Sequence, residues 1–149
     1  RFYPLDPRPE DIRLEDVAQG LAHTCRYTGQ CDFFYSVALH SIHVSTELSR
    51  LGHGENVQLY GLLHDAPEAY LSDIARPVKE NLPDYREMEN RIQKTVWEAF
   101  EIGEPSHDEW KAVKRADERL LNYEAETLLS ATWTQNHGDM DYELKKPIE

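Results

Sequence analysis

The stretch HDEWKAVKRADERLLNYEAETLLSA, residues 107–131, decides the fold class. Trp110, Val113, Leu120, Leu121 and Leu128 recur at helical spacing, which puts them on one face of an α-helix, whereas a strand would need alternation at every second position. One polar residue interrupts the apolar face: Asp117 falls in the centre of the stripe made by Trp110, Val113 and Leu121. An ionised carboxylate buried there without a partner costs several kcal/mol, so another element must compensate its charge.

The same period extends upstream. Tyr85, Met88, Ile92, Val96 and Phe100 predict a helix that starts near Asp84 and stops at Gly103. Before it, Arg76-Pro77 marks a break. A helix is expected from Glu55 through Leu63 to about Leu71, kinked at Pro67, which lacks a backbone donor. Ser36 is placed to cap a helix whose stripe is Val37, Val44, Leu48 and Leu51, closed by Gly52 and Gly54. Val17, Leu21, Ala22 and Cys25 predict a short helix over 15–26. Pro4, Pro7 and Pro9 make residues 1–13 an extended lead-in with no helix. No segment sustains period-two alternation, and no repeat or low-complexity linker divides the chain. The expectation is one all-α domain over 1–149, with a helical core at about 15–131 and a tail over 132–149 that carries the exposed aromatics Trp133 and Tyr142.

Composition narrows the function classes. The 149 residues hold 28 acidic and 16 basic side chains, a formal charge of −12, with 40% hydrophobic content. A chain of this size buries roughly two-thirds of its unfolded surface, so the fold needs no structural metal or disulfide. The negative field disfavours a nucleic acid polymer as partner, and no basic run exceeds Lys145-Lys146. No apolar run reaches membrane-span length, and the stretch from Arg1 has no hydrophobic signal core, so no membrane partner and a cytoplasmic location are expected. Cys25 and Cys31 are too few for a disulfide framework and wrongly spaced for a zinc knuckle; both are read as reduced thiols.

Several polar residues stand where apolar ones belong. His40 lies at the edge of the stripe of Val37, Val44 and Leu51, and so faces inward. His64 follows Gly61 and Val57 on one helical face and precedes Glu68, with Gly61 expected to leave room for an ion beside the imidazole. A single inward histidine is more often a hydrogen-bonded core residue than a ligand. Here His40, His64, Asp65 and Asp117 converge from three helices. Two imidazoles and two carboxylates suit a divalent cation, Zn, Mn, Fe, Co or Mg, and a set without thiolate can leave positions open for water, as catalytic sites do. Glu68, one turn after His64, is placed like a general base. Asp73 orients water or a second ion, or is a simple turn residue after Ser72. Glu124 shares the stripe with Asp117; it either holds a ligand histidine or an arginine from behind, or is a half-exposed helix acid.

On helices, His40, the pair His64-Asp65 and Asp117 together resemble the HD-domain metal-dependent phosphohydrolases. His64-Asp65-Ala66-Pro67-Glu68-Ala69-Tyr70-Leu71-Ser72-Asp73 is similar to the HD-x-x-E-x-x-x-x-D segment of the bacterial 5′-deoxynucleotidase branch. Arg76-Pro77-Val78-Lys79 resembles that branch's Pro-Val-Lys turn, and Val113-Lys114-Arg115-Ala116-Asp117 its last-ligand helix. Leu5-Asp6-Pro7, Cys25-Arg26-Tyr27-Thr28-Gly29 and Phe34-Tyr35-Ser36-Val37-Ala38 are similar to segments of small phage and bacterial HD hydrolases, a group related to the phage enzymes that strip triphosphate from dATP.

The resemblance implies a compact HD-domain helical bundle with His40, His64, Asp65 and Asp117 as metal ligands. It further implies Glu68 as the residue that activates or orients the attacking water, and Asp73 as an assisting acid. Arg26 would contact the substrate near its phosphate, Tyr27 would pack by the sugar or base, and Lys79 would add charge. The implied activity is metal-dependent hydrolysis of (deoxy)nucleotide 5′-phosphates, either from the monophosphate or by release of whole triphosphate, in an even-numbered homo-oligomer. Two other readings stand beside it. Alarmone hydrolases follow the HD pair with adjacent Glu-Asp, whereas Ala69 follows Glu68 here. A non-catalytic helical module serving as a protein-interaction platform is the other.

Overall fold

The structure, a computed structural model, describes residues 1–129. Ala131, the tail over 132–149 and its aromatics Trp133 and Tyr142 therefore lie outside the described residues. The fold is all-α: α1 (Leu14–His23), α2 (Val37–Arg50), α3 (Glu55–Leu63), α4 (Glu68–Leu71), α5 (Arg76–Lys79), α6 (Pro83–Ala99) and α7 (His107–Leu128). Among the described residues the only strand-like feature is an isolated antiparallel bridge between Cys25 and Ser36.

The core forms where the apolar stripes meet. α2 packs on α3 and α7, α3 on α7, and α1 on α2 and α4. Val44 and Leu48 of α2, Ile92 and Val96 of α6, and Val113 and Leu120 of α7 are fully buried, each contributing roughly 1.5–3 kcal/mol. Two helix starts are fixed by their caps. Ser36 Oγ accepts from the Leu39 N–H at 3.1 Å. Ser106 and Glu109 exchange bonds of 3.2 and 2.7 Å in a reciprocal capping box.

Five local expectations are corrected. The first helix stops at His23, and the chain bridges to Ser36 instead of continuing to Arg26. Leu51 lies past the end of α2 and is exposed, since the apolar face is complete at Leu48. The third helix does not run kinked to Leu71. It ends at Leu63, and residues 64–67 form tight turns in which Ala66 N–H bonds the Leu63 carbonyl and Glu68 N–H the Asp65 carbonyl, because Pro67 offers no donor to carry an α-helical ladder through. Pro77 and Pro9 both sit in first turns, of α5 and of a short 3-10 turn, Pro9–Asp11, where a missing N–H costs nothing. Gly61 leaves no room for an ion: a Cβ there would run into Leu48 Cδ1 and lie 3.3 Å from Val44 Cγ1. The glycine serves the close approach of α2 and α3.

Candidate metal centre and its cleft

His40 projects from the first turn of α2, and His64 from the C-terminal cap of α3. Both imidazoles are buried and 5.4 Å apart between ring centres. Their Nδ1 atoms are engaged away from the centre. His64 Nδ1 donates to the Gly61 carbonyl at 2.6 Å, and His40 Nδ1 donates to Glu124 Oε1 at 2.6 Å. Fixing the proton on Nδ1 leaves Nε2 of each ring as the atom that can bind a metal.

The two Nε2 atoms face the same two carboxylates. Asp117 Oδ1 lies 3.0 Å from His40 Nε2 and 3.6 Å from His64 Nε2. Asp65 Oδ2 lies 3.8 and 3.2 Å from the same atoms. One ligand atom each from His40, His64 and Asp65 fall within 4.8 Å of one another. Yet His64 Nε2 is buried and makes no hydrogen bond. An orphaned ring nitrogen, with a second imidazole and two carboxylates around it, is the donor set of a divalent cation, so His40, His64, Asp65 and Asp117 fit the group expected of them.

Charge within the cluster is strongly polarised. Burial alone would lower the His64 pKa, but Asp65 and Asp117 outweigh it and push it up to about 10. Burial would raise Asp117 and Asp65, and the two histidines hold both below the ordinary carboxylate range. Positive charge is thus favoured between these groups, and a bound cation would displace the imidazole protons.

Glu68, at the start of α4, is 5% exposed and its Oε2 has no hydrogen-bond partner. Burial, with Asp65 and Asp73 nearby, holds its pKa well above the ordinary value, which makes it a stronger proton acceptor. Asp73 is half-buried and also raised, by burial and then by Asp65 against Arg26 and Lys79. It follows Ser72, whose φ of 72° is unusual for a side-chain-bearing residue and whose carbonyl accepts from Tyr85 OH at 2.7 Å. Lys79 is no free surface lysine: its Nζ bonds Glu89 at 2.7 Å and stands 3.7 Å from Glu68 Oε1.

These groups line one cleft of about 920 Å³. Arg26, Tyr27, His64, Asp65, Glu68, Asp73, Lys79 and Asp117 all reach it, so eight of the nine expected site residues share one space, and His40 stands behind it at the metal cluster. Arg26 and Tyr27 come from a 3-10 turn, Arg26–Gly29, in which Tyr27 (φ 57°) and Thr28 (φ 56°) are both left-handed, at a cost of roughly 1–2 kcal/mol each. The orientation of Arg26 differs from a phosphate clamp. Its Nε donates to Glu124 Oε2 at 3.0 Å, its Nη2 is ion-paired with the same oxygen at 2.9 Å, and only Nη1 turns toward Asp65, 4.0 Å away.

Glu124 is therefore fully buried rather than a half-exposed helix acid. Burial would raise its pKa, and Arg26 and His40 lower it to about 2. Two participants escaped the sequence reading. Tyr35 donates to Glu124 Oε1 at 2.9 Å, and Arg76 Nη2 lies 3.9 Å from Asp117 Oδ2. Both lie in segments that carry the resemblance, Arg76-Pro77-Val78-Lys79 and Phe34-Tyr35-Ser36-Val37-Ala38, but nothing in their spacing gives either residue a role.

No protein-family model matches the chain. It is 41% identical over 150 residues to a Rhodobacter capsulatus protein named uncharacterized protein RCAP_rcc00048, covering 97% of this chain and 76% of that one. The chain belongs to the family of RCAP_rcc00048. A second relative, the Escherichia coli uncharacterized protein YfdR, is 36% identical over 99 residues, 66% of this chain and 53% of YfdR. Neither name states a reaction, so for the RCAP_rcc00048 family the chemistry is read from the side chains. Among the described residues no helix is long and apolar enough to cross a membrane.

Proposed function

We propose that this chain is an HD-type, metal-dependent phosphohydrolase acting on the 5′-phosphate end of (deoxy)nucleotides. One observation carries the reading: the Nε2 atoms of His40 and His64 converge on the carboxylates of Asp65 and Asp117 at a cleft that Glu68, Asp73 and Lys79 also line.

A divalent ion held by His40, His64, Asp65 and Asp117 would neutralise phosphoryl charge and make water nucleophilic at neutral pH. Glu68 takes the proton from the attacking water at Oε2, the oxygen that the protein leaves unbonded. Its raised proton affinity suits that task, and Lys79 beside Oε1 opposes the effect of burial by favouring the charged form. Asp73 lines the same cleft, near Glu68, where it can orient the same water. Arg76, more than half exposed at the mouth, supplies charge for phosphate oxygens. The net charge of −12 gives no long-range attraction for an anion, so binding depends on local positive charge inside the cleft.

The test is product analysis by chromatography after incubating metal-loaded protein with deoxy- and ribonucleoside mono-, di- and triphosphates, with and without chelator. Orthophosphate plus nucleoside from monophosphates identifies a 5′-nucleotidase. Nucleoside plus intact triphosphate identifies a triphosphohydrolase. No chelator-sensitive product from any of them, with metal bound, overturns the reading and leaves the alarmone-hydrolase and interaction-platform alternatives.

A further inference from the structure

Glu124 bonds four side chains at the site, Arg26, Tyr27, Tyr35 and His40, and its two oxygens are divided between two tasks. Oε1 accepts from His40 Nδ1 at 2.6 Å and from Tyr35 OH at 2.9 Å. Oε2 accepts from Arg26 Nε at 3.0 Å and Tyr27 OH at 3.2 Å, and pairs with the charge at Arg26 Nη2, 2.9 Å away. The carboxylate is 0% exposed, so every one of these bonds is made in a dry environment where an unpaired partner is costly. One oxygen sets the ring of a metal-ligand histidine. The other closes the left-handed turn that carries Arg26 and Tyr27.

The arginine is committed by this arrangement. The Nε–Nη2 edge, which would otherwise grip two phosphate oxygens, is spent on Glu124. Arg26 is 8% exposed, and burial of a guanidinium is tolerated only against a charge such as this one. Its effect is felt at the carboxylate first, and through the carboxylate at His40.

We propose that Glu124 is a positioning residue that joins Arg26 to His40, so that Arg26 acts on the metal centre through the carboxylate. The inference rests on the reading of His40, His64, Asp65 and Asp117 as metal ligands, but needs no particular substrate. Without Arg26 and the two tyrosines, the carboxylate is free to swing or take a proton, and His40 loses the acceptor that fixes its tautomer and raises its basicity as a ligand. The other contact of Arg26 with the centre, Nη1 to Asp65 Oδ2 at 4.0 Å, is longer than either of its contacts to Glu124, so without Glu124 the loss of Arg26 has little further effect on the metal.

The test is the affinity of the full chain for Co(II), measured by chelator competition with no nucleotide present. The proteins are the wild type, Arg26→Gln, Glu124→Gln, the double variant, Tyr27→Phe and Tyr35→Phe. Arg26→Gln and Glu124→Gln are each expected to weaken Co(II) binding by about 10- to 100-fold. The double variant is expected to be no weaker than Glu124→Gln alone, because both changes cut one path. An Arg26→Gln affinity within about twofold of wild type, or single losses that multiply in the double variant, overturns the proposal. If burying an unpaired charge prevents those variants from folding, the tyrosine variants decide, since each removes one bond to Glu124 and buries no new charge. A several-fold loss of Co(II) affinity in both supports the joint, and unchanged affinity in both overturns it. A wild-type protein that binds no Co(II) overturns the metal reading itself, a result distinguishable from failure of the joint alone.

Discussion

His40 and His64 read alike in the sequence, as inward histidines on neighbouring helices, but the protein holds them by different means. His64 is tied by Nδ1 to the carbonyl of Gly61, three residues back in its own helix. His40 is tied to Glu124, 84 residues away, within a network that includes Arg26, Tyr27 and Tyr35. A backbone carbonyl has no side chain to lose and does not titrate. A buried carboxylate can be substituted, protonated or pulled aside. The His64 half of the centre is therefore local and robust, and the His40 half depends on tertiary contacts that must all be present.

The comparison breaks most completely at the group the two halves share. Asp117 contacts both Nε2 atoms, so Asp117→Ala is expected to abolish metal retention and activity together, measured as metal content after gel filtration and turnover of the preferred nucleotide. Full activity in that variant would remove the site assignment. A change outside both anchors sharpens the contrast. Glu68→Ala should keep metal and substrate binding and lose turnover by on the order of a hundredfold or more; lost metal instead would make Glu68 a ligand.

The local anchor has its own weak point, in packing rather than charge. Gly61→Ala drives a methyl into Leu48 and toward Val44, with an expected cost of about 1–3 kcal/mol from overpacking. Thermal melts of the metal-free protein read this directly, and a wild-type melting temperature would mean that α2 and α3 can part without cost.

The smallest effect is on the pH dependence of metal-free stability, where the two halves have opposite signs. Glu124 is lowered from 4.5 to about 2, so its contribution is present above pH 4.5 and is lost as pH falls toward 2. His64 is raised from 6.5 to about 10, so its contribution is present below pH 6.5 and is lost as pH rises toward 10. Glu124→Gln should reduce the acid limb, to which Asp65 and Asp117 also contribute, and leave the alkaline limb, in melts across pH 3–10. Equal changes on both limbs would show that the halves are not separately held.

Much of the fold could be read along the chain because its determinants are local. Ser36 caps the helix it precedes, α6 and α7 follow their apolar period, and the inward positions of His40 and Asp117 follow from the same projection. The misreadings share a cause. The helix ending at Leu63, the short helix Arg76–Lys79 where a break was expected, and the close approach of α2 and α3 at Gly61 are each set by contacts with distant residues or by turn geometry that periodicity does not encode. Glu124 is the clearest case. Its two-turn spacing from Asp117 put it on the right face, and nothing in the spacing distinguished an exposed acid from a carboxylate with four side-chain partners.

The amino-acid sequence alone determined an all-α chain, the apolar stripes that build its core, and four donor residues turned toward that core. Helical period and capping chemistry act over a few residues, so they are legible without the fold. The tertiary structure decided which donor meets which, that both Nε2 atoms face Asp65 and Asp117, and that Arg26 grips Glu124 with the edge expected to meet phosphate. Those pairings span 53 (His64 to Asp117) to 98 residues of chain wherever α7 takes part, and they are set only when packing of α2, α3 and α7 brings the side chains together in a space too dry to leave a charge unpaired.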